Sequence, residues 1–106
     1  MLTLLQVNFP FRGPFAEQMT QAMQQLALSI SREPGLLWKL WTENAEQREA
    51  GGIYLFETQG QAQRYVEMHV QRLTSIGVKS IEIKFFAVNQ LLSQLTHAGH
   101  LSFLTK

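Results

Sequence analysis

Residues 34–43 read PGLLWKLWTE and residues 49–56 read EAGGIYLF, joined by the polar connection NAEQR. Two arms rich in aromatic and branched side chains around a polar connection are typical of a β-hairpin. The two tryptophans of the chain, Trp38 and Trp41, lie three residues apart in the first arm, so strand alternation puts them on opposite faces of the sheet. A strand that buries a large ring on each face needs cover on both. We therefore predict helices against one face and a second subunit against the other.

The segment before the hairpin predicts a strand followed by a helix. Residues 2–9 form a short apolar run in which Gln6 and Asn8 share one face, either as a solvated pair or as part of a pocket lining. Pro14 is suited to the first turn of the helix, where its missing N–H costs nothing. The helix ends before Pro34, because a residue that precedes proline avoids helical angles. Its apolar face consists of Phe15, Met19, Ala22, Met23, Leu26 and Ile30.

The second arm of the hairpin leads into another helix. Gly51 and Gly52, near the start of that arm, predict a bulge or the close approach of another backbone. Thr58 and Gln61 have the spacing of a capping box, and Gly77 is placed to end the helix in a left-handed cap. The apolar stripe of this helix consists of Ala62, Tyr65, Val66, His69, Leu73 and Ile76.

Residues 78–89 predict the last strand, and a short helix follows to about Ala98, ended by Gly99. One face of the strand carries Ile81, Ile83 and Phe85; the other carries Glu82, Lys84 and Phe86. The order strand, helix, strand, strand, helix, strand is that of the ferredoxin-like βαββαβ arrangement. Right-handed crossovers place both helices on one face of a four-stranded antiparallel sheet. We therefore predict an α+β fold.

Composition limits the function classes that the chain can belong to. At 106 residues we expect a single domain, 1–106, and 45% hydrophobic residues supply a core. The 16% of charged residues is low against a usual ~25%, which favours an oligomer. A net charge of +1 with no basic cluster argues against nucleic-acid binding. The absence of cysteine excludes thiolate nucleophiles and Cys-ligated metals. No apolar run approaches the ~20 residues of a membrane span, and no signal peptide is evident, so we expect a cytoplasmic protein.

The hairpin motifs WKxWTE and EAGGIY resemble those of the YdhR family of monooxygenases. The matching positions are 33–43 and 49–56, with 4–6, 11, 13–15, 88–89 and 92–93. The tail from about His97 lies outside the pattern. The resemblance implies a dimeric α+β barrel, in which two ferredoxin-like subunits pack sheet against sheet and each holds a pocket between sheet and helices. Relatives in that superfamily include cofactor-free monooxygenases acting on polyketide quinone precursors and haem-degrading enzymes, so the fold does not determine the reaction.

Three residues are candidate catalytic groups. His69 lies on the apolar stripe of the second helix and would exchange a proton at neutral pH. The indole N–H of Trp38 needs a partner when buried, and a bound oxygenated substrate would supply one. Tyr54 would donate a hydrogen bond to a substrate oxygen. Core packing is the commoner role for a residue such as His69 or Tyr54, and packing in the core or in the dimer interface is the alternative for Trp38.

Further residues are candidates for binding the substrate: Phe9, Phe11, Tyr65, Met68, Arg72 and Asn8. Arg72 would orient a substrate carboxylate or hydroxyl, unless it is merely solvated. We predict no metal site, because His97 and His100 do not make the three or four convergent ligands that a metal needs. Some haem-degrading relatives combine a helix histidine with a strand asparagine and a tryptophan, for which this chain offers His69, Asn8 and Trp38.

The sequence thus favours a cofactor-independent monooxygenase, a homodimer that oxidises an aromatic phenol to a quinone with dioxygen. An electron-rich phenolate itself reduces dioxygen, so the protein need only exclude water, deprotonate the substrate and position it. Two alternatives remain open at this point: a haem-binding or haem-degrading protein, and a dimer that binds aromatic ligands without turnover.

Overall fold

The computed structural model describes residues 2–98 as a four-stranded antiparallel sheet with helices against it. The elements are β1 (Thr3–Pro10), α1 (Ala16–Ala22), α2 (Gln24–Ile30), β2 (Leu36–Asn44), β3 (Glu49–Phe56), α3 (Gln59–Ser75), β4 (Glu82–Ala87) and α4 (Gln90–Leu95). The strand order is β2-β3-β1-β4. The predicted α+β, ferredoxin-like fold is confirmed. Within the described range, no helix has both the length and the apolar character needed to cross a bilayer.

The core lies between the sheet and the helices, and strand alternation determines which side chains enter it. Leu5 and Val7 of β1 are buried, and they pair with Tyr54 and Gly52 of β3. On the other side of β1, the same two residues pair with Phe85 and Ile83 of β4. Residues at odd positions of β1 therefore face the helices, and those at even positions, Gln6 and Asn8 among them, face away. The predicted faces of β1 and β4 are confirmed.

The first predicted helix differs from the structure in its start and in its continuity. Phe15 has extended backbone angles and Ala16 has φ +56°, so the helix begins at Ala16 and Pro14 precedes it. Met23 (φ −103°, ψ 6°) separates α1 from α2. Backbone hydrogen bonds continue across this break, because Met23 N–H donates to Met19 and Ala27 N–H donates to Met23. The apolar spacing therefore persists through it and gives no sign of the break.

The predicted C-terminal cap of α3 is formed, whereas the predicted capping box at its start is formed only in part, because the Gln61 side chain meets the Thr58 hydroxyl and not the Thr58 backbone N–H. The Gln61 N–H donates to Thr58 Oγ1 at 3.2 Å, and the Thr58 hydroxyl donates to Gln61 Oε1 at 3.2 Å. At the other end Gly77 has φ +93°, and the N–H groups of Gly77 and Val78 donate to the carbonyls of Thr74 and Leu73. These two bonds form a Schellman motif. The predicted apolar stripe is buried as far as Leu73, whereas Ile76, at the cap, is 68% exposed.

Of the two alternatives predicted for Gly51 and Gly52, the structure shows a close approach of another backbone, that of β1, and no bulge at these residues. A Cβ on Gly51 would collide with the carbonyl oxygen of Val7 on the neighbouring strand. The register shift of the hairpin lies instead in β2, between Leu36 and Trp38.

The C-terminal elements are shorter than predicted. β4 covers Glu82–Ala87 within the predicted 78–89, because the residues just after Gly77 belong to the cap of α3. α4 covers Gln90–Leu95, with Asn89 Oδ1 accepting from the Leu92 N–H at 3.1 Å. The predicted cap at Gly99 and the tail beyond it lie outside the described residues.

Candidate functional site

A cavity lies between the helix-facing side of the sheet and the helices. Alternate residues of β2 face the helices, and these are the ones that can enter the cavity. Lys39 pairs with Tyr54, and Trp41 pairs with Gly52. Because Tyr54 and Gly52 face the helices, Lys39 and Trp41 face them too. Gly52 makes room for the lysine stem, since a Cβ there would lie 2.6 Å from Lys39 Cε.

The cavity has apolar walls and a few polar groups. It offers about 80 Å³ to the centres of water-sized molecules, several times the ~10–15 Å³ that one water needs. Its walls include Phe9, Phe11, Met19, Met23, Leu26 and Leu73. The polar side chains that reach it are Lys39, Tyr54, His69 and Arg72. None of the described residues that line it is acidic.

Lys39 lies against aromatic rings and away from carboxylates. Its Nζ is 3.4 Å from the ring centroid of Trp41 and 4.7 Å from that of Tyr54. A lysine ammonium is attracted to the electron-rich face of an aromatic ring. Burial, and then the positive charge of Arg72, lower the pKa of Lys39 from 10.5 to about 7. At pH 7 the charged and neutral forms of Lys39 are therefore close to balance, and an anion beside the side chain would favour the charged form.

His69 and Arg72 lie one helical turn apart on α3 and reach the same cavity. His69 is 4% exposed, and its Nδ1 is buried with no hydrogen-bond partner in the described part of the chain. Arg72 Nη1 is likewise buried without a hydrogen-bond partner in the described part of the chain. Burial, followed by the charges of Lys39 and Arg72, lowers the pKa of His69 to about 4. His69 is therefore neutral at pH 7. Buried polar atoms are rarely left unpaired, so these two are unusual among the polar atoms of the fold and lie on residues that line the cavity.

Two tyrosines connect α3 to the sheet beside the cavity. The Tyr65 hydroxyl donates to the Tyr54 hydroxyl at 3.1 Å, and the Tyr65 ring stacks on the imidazole of His69 with centroids 5.1 Å apart. Burial raises the pKa of Tyr54 to about 12 and raises that of Tyr65 as well. Both phenols therefore keep their protons at neutral pH. Because Tyr54 accepts from Tyr65, its own proton is available to a ligand in the cavity.

The structure brings together five of the residues proposed from the sequence. His69, Tyr54, Phe9, Phe11 and Arg72 all line the cavity. Their positions agree with the expected location between sheet and helices.

Trp38 and Asn8 do not lie in the cavity, which corrects the expectation for both. Trp38 pairs with Leu55 and Asn8 pairs with Gly51, on the side of the sheet that faces away from the helices. Alternation is the reason, since the neighbouring Lys39 occupies the helix-facing position. His69, Asn8 and Trp38 therefore do not converge as haem-degrading relatives would require.

Met68 and Tyr65 also lie outside the main cavity. Met68 is 39% exposed, because it precedes His69 on the helix and so points about 100° away from it. Both residues line a separate surface depression beside Pro34 and Arg64. Tyr65 contributes to the site indirectly, through its contacts with Tyr54 and His69.

Sequence reasoning missed Lys39 and Trp41 as residues of the site. The signal was present, because Lys39 is the one charged residue between Leu36 and Trp41 and lies two positions from Trp41. A lone lysine that shares a strand face with a tryptophan indicates a buried cation beside a ring. Within residues 2–98, no three or more His, Asp, Glu or Cys side chains are grouped as a metal site requires.

Two solved structures share this fold. One is a variant of SnoaB, a cofactor-independent oxygenase from Streptomyces nogalater, at 13% identity and TM-score 0.59, covering 83% of this chain and 93% of that one. The other is described as a putative antibiotic biosynthesis monooxygenase from Deinococcus radiodurans, at 15% identity and TM-score 0.54, covering 84% and 93%. At these identities the likeness shows the ferredoxin-like fold alone.

Sequence comparison identifies the family. No curated protein sequence matches the chain. The family model described as "Putative mono-oxygenase ydhR" matches residues 4–99, a range that contains every described residue lining the cavity. The chain therefore belongs to the ydhR family.

Proposed function

We propose that this protein is a monooxygenase that oxidises a small phenolic molecule with dioxygen and without a bound cofactor. The observation that carries the proposal is the cavity, in which aromatic and apolar walls surround buried polar atoms of His69 and Arg72 that have no protein partner. A small-molecule site has this form, with apolar walls and few, convergent polar groups. The family match supports the reaction class.

The proposed chemistry uses the electrons of the substrate. A phenol and one dioxygen give a quinone and one water, so one oxygen atom enters the ring and the other leaves as water. The ring loses two electron pairs, and dioxygen accepts them. The protein has to generate the electron-rich phenolate, exclude bulk water and hold the ring near dioxygen.

His69 is the proposed base for the phenolic proton. It is neutral at pH 7, and its unpartnered Nδ1 is a candidate acceptor in the cavity. A base whose pKa is about 4 takes a phenolic proton only where the phenolate is stabilised by other groups. Arg72 and Lys39 supply positive charge in the same cavity, and Tyr54 supplies a hydroxyl donor. The oxyanion would thus form among groups already placed to stabilise it.

The proposal includes a homodimer formed through the face of the sheet that turns away from the helices. Leu40 is 59% exposed and Phe86 is 46% exposed on that face, where Trp38 also lies. Leu40 and Phe86 lie on the two edge strands, so apolar side chains are exposed at both sides of this face, which favours association with another surface. A second copy packed sheet against sheet would cover them.

An oxygen electrode tests the function. Purified protein, treated with a chelator and dialysed, is mixed with a panel of single-ring and fused-ring phenols. We expect oxygen uptake that depends on both protein and phenol, with a quinone as product. Binding of phenols without oxygen uptake across the panel would contradict the proposal and favour the non-catalytic ligand-binding dimer. A shift of the Soret band on titration with haem would favour the haem-binding alternative; we expect none.

A further inference from the structure

We propose that the cavity is an anion site, whose ligand is a small planar ring carrying one ionised oxygen group, held between Lys39 and Arg72. This inference deepens the proposed function and rests on it for the identity of the site. A ring carboxylate and a phenolate share the required chemistry, which is a flat apolar body with a negative oxygen at its edge.

Charge balance is the first support. Two basic side chains, Lys39 and Arg72, reach one largely apolar cavity, and none of its described lining residues is acidic. Placing like charges together in a poorly solvated space is unfavourable unless an opposite charge joins them. Arg72 is itself a cause of the lowered pKa of Lys39, so the two basic groups already influence each other. With a neutral ring in the cavity, the two positive charges are relieved only when Lys39 loses its proton, whereas an anionic ring would balance them with both groups charged.

Unpartnered atoms are the second, independent support. Nη1 of Arg72 and Nδ1 of His69 are buried without a partner in the described residues, and His69 is only 4% exposed. A guanidinium N–H that lacks an acceptor is suited to a carboxylate or phenolate oxygen, and charge-assisted bonds of this kind are about twice as strong as neutral ones. Both residues line the cavity that Lys39 also reaches, so a ligand held there would lie beside their unpartnered atoms.

The position of Lys39 is the third support, because the strand pairing places the ammonium at the cavity. Gly52 leaves space for the lysine stem, which a Cβ at that position would displace. The ammonium rests on the ring faces of Trp41 and Tyr54. These rings hold the cation in the site without neutralising it, so its charge remains available to a ligand.

Matched pairs of ligands test the inference by binding alone. Benzoate against benzamide varies the carboxylate, and 2,4-dinitrophenol against 2,4-dinitroanisole varies the phenolate; both anions are ionised in slightly acidic buffer, where Lys39 is charged. Calorimetry or tryptophan fluorescence gives each dissociation constant. We expect the anion of at least one pair to bind roughly tenfold or more tightly than its neutral partner, which corresponds to about 1.4 kcal/mol. The pair that shows the difference identifies the ionised group.

Variants then locate the effect. Lys39→Met keeps the stem against Trp41 and removes the charge, so it should weaken anion binding roughly tenfold and leave the neutral ring unchanged. Lys39→Arg should restore much of the preference. Lys79→Met, the same change at an exposed position between α3 and β4, is the matched control and should alter neither ligand. Thermal melts confirm that each variant is folded.

Equal affinity for the two members of both pairs, no binding by either pair, or equal weakening of both members in Lys39→Met would each overturn the inference. None of these measurements uses oxygen. A preference for anions without oxygen uptake therefore supports the anion site and counts against the monooxygenase. Oxygen uptake with no preference for anions supports the monooxygenase and counts against the anion site.

Discussion

At the scale of single residues, His69 is the side chain whose packing and chemical roles are easiest to separate. His69→Phe removes both nitrogens and keeps a ring that stacks on Tyr65. We expect turnover of a phenolic substrate to fall roughly 10²-fold or more, because the acceptor for the proton is lost. The melting temperature should change little, because a buried nitrogen without a partner adds little to stability.

The control for this prediction is Val66→Ala, a change at a half-buried position of the same helix outside the cavity lining. It should lower the melting temperature and leave the rate per folded molecule unchanged. An unaltered rate in His69→Phe would remove His69 from the mechanism.

Lys39 gives a prediction about stability and pH. Its pKa is lowered from 10.5 to about 7 in the folded protein, so the unfolded chain binds this proton more tightly. Stability therefore rises with pH between about 7 and 10.5, and the cost of the buried charge is fully present below that window. Lys39→Met should raise the free energy of unfolding by about 1–2 kcal/mol at neutral pH, and this gain should disappear as the pH approaches 10.5.

Urea denaturation of both proteins across this range measures the effect. The other groups that face Lys39 are Tyr54 of β3, His69 of α3 and the guanidinium of Arg72 on α3. Tyr54 has a pKa of about 12 and His69 a pKa of about 4, so neither titrates within the window. The α1 and α2 residues that line the cavity are methionines and a leucine, which carry no titratable group. A variant less stable than the parent at neutral pH would show that the buried ammonium stabilises the fold.

The sequence predicts which residues of a strand share a face, but not which of the two faces meets the helices. Alternation correctly put Trp38 and Trp41 on opposite faces, but it gives only the relative phase of a strand. Which tryptophan meets the helices depends on the pairing of β2 with β3, and a register shift after Leu36 affects that pairing. The sequence therefore indicates Trp38 as the pocket residue, whereas in the structure Trp41 and Lys39 lie on the helix-facing side of β2. His69 and Tyr54 line the cavity, on faces that the periodic pattern of their neighbours indicates.

At the scale of elements, local signals predicted caps better than breaks. The Thr58 N-cap and the Gly77 C-cap depend on residues close in sequence, and both predictions are confirmed; the second, reciprocal bond of the predicted capping box is not formed. The break at Met23 carries neither glycine nor proline, and backbone hydrogen bonds continue across it, so the periodic pattern does not reveal it. The end of β4 depends on its pairing with β1, which is a non-local property.

The glycines of the sheet and of α3 give a prediction at this scale. Gly51→Ala should lower the free energy of unfolding by about 2 kcal/mol or more, because the added methyl meets the Val7 backbone, which cannot move aside. Gly60→Ala is the matched control. It lies in the first turn of α3 with nothing within 4 Å of a Cβ, so it should be neutral or stabilise by up to about 1 kcal/mol. Denaturant titration compares the two, and equal effects would contradict the close approach at Gly51.

At the scale of the whole molecule, the apolar sheet face predicts association. Light scattering at micromolar concentration should give twice the 12.1 kDa mass of the chain. Leu40→Glu places a charge on that face and should shift the population towards monomer, because burying the carboxylate in an interface is costly. Leu28→Glu, at another exposed leucine on α2, should leave the dimer intact. A parent protein that is monomeric would contradict the proposed dimer.

Oxygen labelling tests the proposed reaction most directly. The chelator-treated protein is incubated with a phenol that it oxidises, under ¹⁸O₂, and the quinone is analysed by mass spectrometry. Monooxygenation in the cavity predicts one labelled oxygen atom in each quinone molecule and the loss of labelled product in His69→Phe. A quinone whose new oxygen comes from water, or product that forms equally well without the protein, would contradict it.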